Sequence, residues 1–210
     1  MKKIVYFIRH SQALKPNNDF NEESLQLQNE KWPLSIEGEK LAQSKLINDE
    51  LKDLDLIVSS NYVRTIATAK YLTVNNDKEI LVLPNFGERK FGINNWNELP
   101  KGFELKQWED EEYKLPNGEC LKKVRERCYN ELMNLLNKDY KRIAIVFHAT
   151  AMLSLLKIWC NMSLNANNQI EIEFNNKIIT MSKINNCDTF KLEFNDNNEL
   201  LNIERIDINE

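Results

Sequence analysis

The sequence predicts an α/β fold, a mostly parallel sheet covered by helices on both faces, and three observations lead there. Short runs rich in β-branched and aromatic residues recur at Ile4 to Ile8, Leu54 to Val58, Ile80 to Leu83 and Ile143 to Phe147. Unbroken apolar runs of that length suit strands buried on both faces. Apolar residues at helical spacing separate them, and strands alternating with helices argue for a sheet wound on both sides. The chain of 210 residues is long enough for one sizeable core, so a single domain spanning 1–210 is expected.

Taken in order, the first run ends abruptly in Arg9 and His10. Leu41, Ala42, Leu46 and Ile47 then share a helix face behind Ser35, a residue type that caps helix N-termini. Ile66, Ala69 and Leu72 mark a second helix, and Leu121, Val124, Cys128, Leu132 and Leu135 a third, introduced by the turn Pro116 to Gly118. A fourth carries Met152, Leu155, Leu156 and Trp159. Thr189 to Phe194 and Leu201 to Ile206, joined by the turn-prone NDNNE, read as a hairpin on an edge near the C-terminus. The stretch at about 94–117 departs from this rhythm. Trp96, Phe103, Trp108 and Tyr113 stand there among many charges without a strand signal, which indicates a short, partly helical lid insertion. Its aromatic residues read first as the lid's own packing core and second as a substrate wall. The asparagine-rich stretches NNKII and NDNNEL read as loops.

Composition narrows the partners. A net charge of -4 and a pI of about 5.5 give no general attraction to nucleic acid, so any anion site is local. Cys120, Cys128, Cys160 and Cys187 lie far apart without a C-x-x-C, which suggests reduced core thiols and neither a zinc cluster nor a disulfide framework. Five apolar residues between Lys3 and Arg9 are too few for a signal-peptide core, and no run approaches the ~18 residues of a membrane span. A cytoplasmic protein without nucleic-acid or membrane partners is expected. With five glycines there is neither a G-x-G-x-x-G nor a P-loop, and no metal-ligand cluster such as H-E-x-x-H, so no cofactor or metal is expected. The terminal hairpin offers an edge through which two copies could pair as a homodimer.

In open α/β sheets ligands bind beyond the carboxyl ends of the strands. Arg9, His10 and Ser11 follow the first run; Ser59, Ser60, Asn61 and then Arg64 follow the second; Glu88 and Arg89 follow the third; His148 follows the fourth. Taken singly, a histidine after a strand is more often a hydrogen-bonded structural residue, and an arginine on a helix a solvated charge. Taken together, both histidines of the chain and several arginines at one end of one sheet form a cationic pocket with a single carboxylate, costly to build without an anion. Guanidinium groups grip phosphate through paired, charge-assisted hydrogen bonds. Neutral imidazole can attack phosphorus and split one displacement into two through a phosphohistidine. Fixed cations can replace a metal ion in that step. A carboxylic acid, here Glu88, can protonate the leaving oxygen and afterwards activate water.

This pattern resembles the histidine phosphatase superfamily, also called phosphoglycerate mutase-like. FIRHSQA resembles the family's Arg-His-Gly motif, and LSIEGEKLAQ, SSNYVRTIATA, GERKFG, NGEC with KKVRERC, and IVFHATAMLSLL follow in family order, covering residue 3 to about 160. The resemblance implies a three-layer α/β/α sandwich. It also implies His10 as nucleophile, Arg9 and Arg64 as phosphate clamps, Glu88 as proton donor and His148 as the second histidine. The substrate contacts it implies are Arg9, Ser11, Asn17, Arg64, Arg89, His148 and Ala149. Ser11 and Ala149 stand where the family carries glycine. The substrate expected is a small phosphorylated metabolite, hydrolysed without a metal. A 2,3-bisphosphoglycerate-dependent phosphoglycerate mutase is the alternative; GERKFG favours it, while the 29 residues between Glu88 and Gly118 make a short lid for one. A phospholigand-binding or regulatory protein of the same fold is the second alternative, motivated by Ser11 and Ala149.

Overall fold

The computed structural model describes residues 2–15, 24–164 and 169–206. Six strands form the main sheet: β1 (Lys3–Arg9), β2 (Leu56–Ser59), β3 (Ile80–Val82), β4 (Arg142–Phe147), β8 (Thr189–Phe194) and β9 (Leu200–Ile206). Their spatial order is β3-β2-β4-β1-β8-β9. The pairings of β1 with β4, β4 with β2 and β2 with β3 are parallel, while β8 and β9 add an antiparallel hairpin at one edge. A second sheet of three antiparallel strands, β5 (Asn161–Leu164), β6 (Ile170–Phe174) and β7 (Lys177–Met181), follows the last helix.

The period-2 geometry of a strand sorts the apolar runs onto two faces. Val5, Phe7, Ile143, Ile145 and Phe147 point into a core shared with α5 (Leu121–Leu136) and α6 (Ala149–Leu156). Tyr6, Ile8, Ala144 and Val146 point the other way, against α2 (Ile36–Leu46) and α3 (Val63–Thr73). Helices therefore cover both faces of a mostly parallel sheet, as the continuous apolar runs predict. Ser35 caps α2 as expected, its hydroxyl accepting from the Gly38 N–H at 3.0 Å. The four cysteines are free and buried, and burial pushes the Cys128 thiol up to about 12.

Two sequence expectations are corrected, and one element goes unforeseen. The second strand starts at Leu56, two residues later than the apolar run, because the Asp55 carboxylate turns back to accept the backbone N–H groups of Lys141 and Arg142. NNKII is no loop: Lys177 to Met181 forms β7, and Asn175 and Asn176 make its hairpin turn with φ of 49° and 60°. Those left-handed values explain the asparagine, which tolerates them better than other non-glycine residues. A helix without a clear sequence signal, α1 (Leu25–Lys31), precedes α2 and is capped by the Ser24 hydroxyl, which accepts from the Leu27 N–H.

The insertion begins and ends at one crossing. Gly92 has φ +74°, and a Cβ there would stand 2.1 Å from the Gly118 backbone nitrogen. Beside that contact, the Glu119 N–H donates to the Lys90 carbonyl at 2.9 Å and the Lys90 N–H to the Glu119 carboxylate at 3.0 Å. Between these ends lies α4 (Phe103–Glu109). Phe103 and Tyr113 pack with Leu25, Phe91 and Ile93 as the insertion's own small core. Trp96 packs edge-on against Phe91 of that core at 5.2 Å while also stacking on Trp32, and Trp108 joins the main core, so the lid-core reading holds for three of the four aromatics. Gly92→Ala is expected to destabilise the fold by roughly 1–3 kcal/mol, the cost of a non-glycine residue held at such a φ, with the steric clash added. Urea denaturation measures it, and an unchanged midpoint would show that the crossing can open.

Candidate active site

The sheet register brings the two histidines together. Arg9, the last residue of β1, lies opposite Phe147, the last of β4, so His10 and His148 leave the sheet side by side. The His10 N–H donates to the Phe147 carbonyl at 2.9 Å, and the ring centroids are 5.2 Å apart. The chain turns to opposite faces after β1 and β4, giving the crevice in which α/β folds bind ligands.

The proton on the His10 ring is placed by its partner. His10 Nδ1 lies 2.6 Å from the Ser11 carbonyl, which only accepts, so Nδ1 carries the proton and Nε2 a lone pair. Arg64 Nε donates to that Nε2 at 3.1 Å, and Arg64 Nη2 lies 3.3 Å from His148 Nδ1. His148 Nε2 is 2.9 Å from the Ser60 hydroxyl, and the His148 ring packs edge-on to Tyr62 at 4.4 Å. Arg64 is itself buried; its third arm donates to the Asn29 carbonyl at 2.6 Å and its plane lies 4.6 Å from the Tyr62 ring. Burial first, and the Arg64 charge second, hold both imidazoles well below their ordinary value of 6.5. Both are therefore neutral in the fold.

Arg9 donates to the Ile184 carbonyl, yet its buried Nε has no acceptor among the described residues. A buried guanidinium N–H of this kind suits an anion. Glu88, two residues past the 3-10 turn Pro84–Phe86, turns its carboxylate to the start of α6, accepting from the N–H groups of Thr150 at 3.3 Å and Ala151 at 3.2 Å. It also accepts from the Arg89 N–H at 2.9 Å. Glu88 is thereby fixed to the helix that His148 opens. Among the described residues no group of three or more His, Cys, Asp or Glu could hold a metal ion.

The remaining expected contacts divide. The Ser11 hydroxyl donates to the Gly38 carbonyl at 2.7 Å and the backbone N–H to the Thr68 hydroxyl at 3.0 Å, so the side chain in the glycine position is tied to α2 and the backbone to α3. Ala149 is the first residue of α6, next to His148. Arg89 engages the insertion: its guanidinium donates to Gln107 at 2.8 Å and Glu104 at 3.3 Å and lies over Phe91 and Phe103. The structure does not bring it into the histidine cluster. Asn17 lies outside the described residues. Sequence reasoning missed Asn29 and Trp32, which reach Arg64 from α1, and Asn186, whose amide donates to the His10 carbonyl at 3.0 Å. It also missed Arg127, one helix turn past Lys123 on α5, which donates to the carbonyls of Asn85, Gly87 and Glu88 and pairs with Glu119. The only available signal was the charge inside an otherwise amphipathic helix.

The neutral imidazoles link the fold to pH. In the unfolded chain both titrate near 6.5, so below that value the unfolded state binds more protons than the fold. Stability is complete above that pH and falls beneath it, by at most about 1.4 kcal/mol per pH unit for each ring. Urea denaturation between about pH 7 and pH 5 is expected to show the fall, with a shallower slope in His148→Gln. Equal slopes would mean that His148 takes up its proton inside the fold.

The family model for the histidine phosphatase superfamily (branch 1) matches residues 5–197. No curated protein matches the sequence. Among solved structures, mycobacterial glucosyl-3-phosphoglycerate phosphatase superposes with a TM-score of 0.69 at 16% identity, covering 98% of this chain and 97% of its own. A candidate alpha-ribazole-5′-P phosphatase from Escherichia coli gives 0.64 at 17% identity with 96% of each chain covered. Phosphoglycerate mutase from Thermus thermophilus gives 0.57 at 17% identity, covering 97% and 99%. At such identities the likeness concerns the fold.

Proposed function

The chain belongs to the histidine phosphatase superfamily (branch 1), and from that premise we propose that it hydrolyses phosphomonoesters through a phosphohistidine on His10, without a metal ion. One observation carries the reading. The Ser11 carbonyl holds the His10 proton on Nδ1, which leaves the Nε2 lone pair facing a buried guanidinium.

A neutral imidazole is the nucleophilic form, and burial keeps His10 neutral. When a phosphoryl group enters, its oxygens take over from the ring nitrogens as acceptors of the Arg64 N–H groups, joined by Arg9 Nε. His148 can then donate as well: the Ser60 hydroxyl can give a proton to Nε2 as readily as accept one, which lets Nδ1 carry the hydrogen toward the anion. In the first step the Nε2 lone pair forms the P–N bond, the P–O bond to the leaving group breaks, and protonated Glu88 gives its proton to the departing oxygen. In the second, Glu88 takes a proton from water as the water oxygen bonds phosphorus, the P–N bond breaks and His10 is restored. Glucosyl-3-phosphoglycerate phosphatase and the phosphoglycerate mutase share the fold, so both outcomes of a phosphohistidine are compatible with it. Hydrolysis is favoured because the insertion is short and because Arg89, which a mutase would need at its substrate, is committed to α4.

Turnover of p-nitrophenyl phosphate by the purified chain is expected to survive a chelator and to vanish in His10→Ala; full activity in that variant would overturn the nucleophile. Arg64→Lys is expected to lose roughly 10²-fold, since lysine lacks the planar fork. Glu88→Gln is expected to cost alkyl phosphates roughly 10²-fold and the aryl ester less than about tenfold, because only the poorer leaving group needs the proton. Equal losses would remove Glu88 from that role. With 3-phosphoglycerate as substrate, release of phosphate in excess of 2-phosphoglycerate is expected; the opposite balance identifies a mutase.

A further inference from the structure

We propose that the leaving group accepted at this site is an uncharged, hydroxylated one of small-polyol size, and that a second anion on the substrate is selected against. The inference rests on the phosphatase reading above. A leaving oxygen within reach of Glu88 directs the rest of the substrate past that residue. There a recess of about 160 Å³ is bordered by Glu88, Tyr62, Glu30, Asn61, Lys90 and Arg127. At about 30 Å³ for each water-sized group it holds roughly five such groups, close to the bulk of glycerol.

Three carboxylates, Glu30, Glu88 and Glu119, face this recess against two cations. One of these cations is already spent. Arg127 pairs twice with Glu119, at 2.9 and 3.0 Å, and its remaining N–H groups go to three backbone carbonyls. Arg89, next in sequence to the acid, is only 2% exposed and bonded to Gln107 and Glu104. A carboxylate or second phosphate on the leaving group would therefore meet Glu30 with Lys90 as its one counter-charge among the described residues of the recess, and like charges in such proximity are repelled. Hydroxyl groups find both donors and acceptors in Glu30, Asn61 and Lys90. A second feature agrees. Trp32 lies 6.0 Å from the Arg64 guanidinium and stacks on Trp96, so indole surface borders the phosphate clamp where the C–H faces of a polyol or sugar can pack.

The test compares two substrates of equal carbon count, glycerol 3-phosphate and 3-phosphoglycerate, with p-nitrophenyl phosphate as the measure of chemistry in each variant. The full chain is expected to show a kcat/KM at least about tenfold higher for glycerol 3-phosphate, and Glu30→Lys to shrink that ratio several-fold, chiefly by lowering KM for 3-phosphoglycerate. Aryl phosphate turnover combined with an equal or reversed preference, or a ratio indifferent to Glu30→Lys, would overturn this inference and leave the hydrolase reading standing. Absence of aryl phosphate turnover would overturn both.

Discussion

Everything around the candidate site depends on one buried guanidinium placed between two imidazoles that cannot take its charge. Arg64 donates to His10 Nε2 and reaches His148 Nδ1, and neither ring offers the negative partner that a buried arginine ordinarily requires. The backbone carbonyl of Asn29 and the face of Tyr62 give partial compensation. Burial first, and a cation so placed second, lower the proton affinity of both histidines and keep them neutral; the field of the cation also attracts a dianion. Nucleophilicity and substrate binding thus share a physical origin on the proposed reading.

Placing that cation takes contributions from distant parts of the chain. Parallel pairing of β1 with β4 sets the histidines side by side, and α3 projects Arg64 across them. The segment from Ile184 to Asp188 closes the back of the site: Ile184 accepts from Arg9, Asn186 holds the His10 carbonyl, and the Cys187 N–H donates to the Arg9 carbonyl. Asp188 holds this segment through Arg205 of β9 at 2.8 Å, so the edge hairpin stabilises the first motif from the far end of the sequence. At the front, Ser11 is tied to Gly38, where any Cβ would meet the Gln12 carbonyl at 2.1 Å. The serine in the place of the family's glycine therefore adds a bond to α2.

How much of this was legible in sequence follows from the range of the interactions. β1, β2 and β4 were readable because they are buried on both faces and so appear as continuous apolar runs; β7, largely exposed, appears as KIITM behind two asparagines and looks like a loop. His10, Arg64, Glu88 and His148 were readable because each follows a strand at the same end of the sheet. Arg89 shows the limit of that reasoning. Its position beside Glu88 says nothing of its direction, and only the packing of Phe91 and Phe103 on its guanidinium reveals that it faces the insertion. Asn29, Trp32 and Asn186 carry no local signal, since their roles exist only after distant segments have met.

On the proposed reading the site has a phosphate half and a leaving-group half, with Glu88 as the acid, and the two differ in what fixes them. The phosphate half is built from strand ends and from helix α3, elements locked by register and by two cores, and a change there would have to move the sheet. The leaving-group half is built on the loop Pro84–Phe86, the residues after it and the crossing at Gly92 and Gly118. Arg127 binds these pieces into a single unit, pairing with Glu119 at the base of the insertion while holding the Glu88 carbonyl. The insertion beyond that crossing can therefore vary in length and charge without displacing the acid. Arg89, next to Glu88, links it to the insertion through Gln107 and Glu104 of α4. On the proposed reading, substrate preference is set where the chain is free to change, and chemistry where it is not.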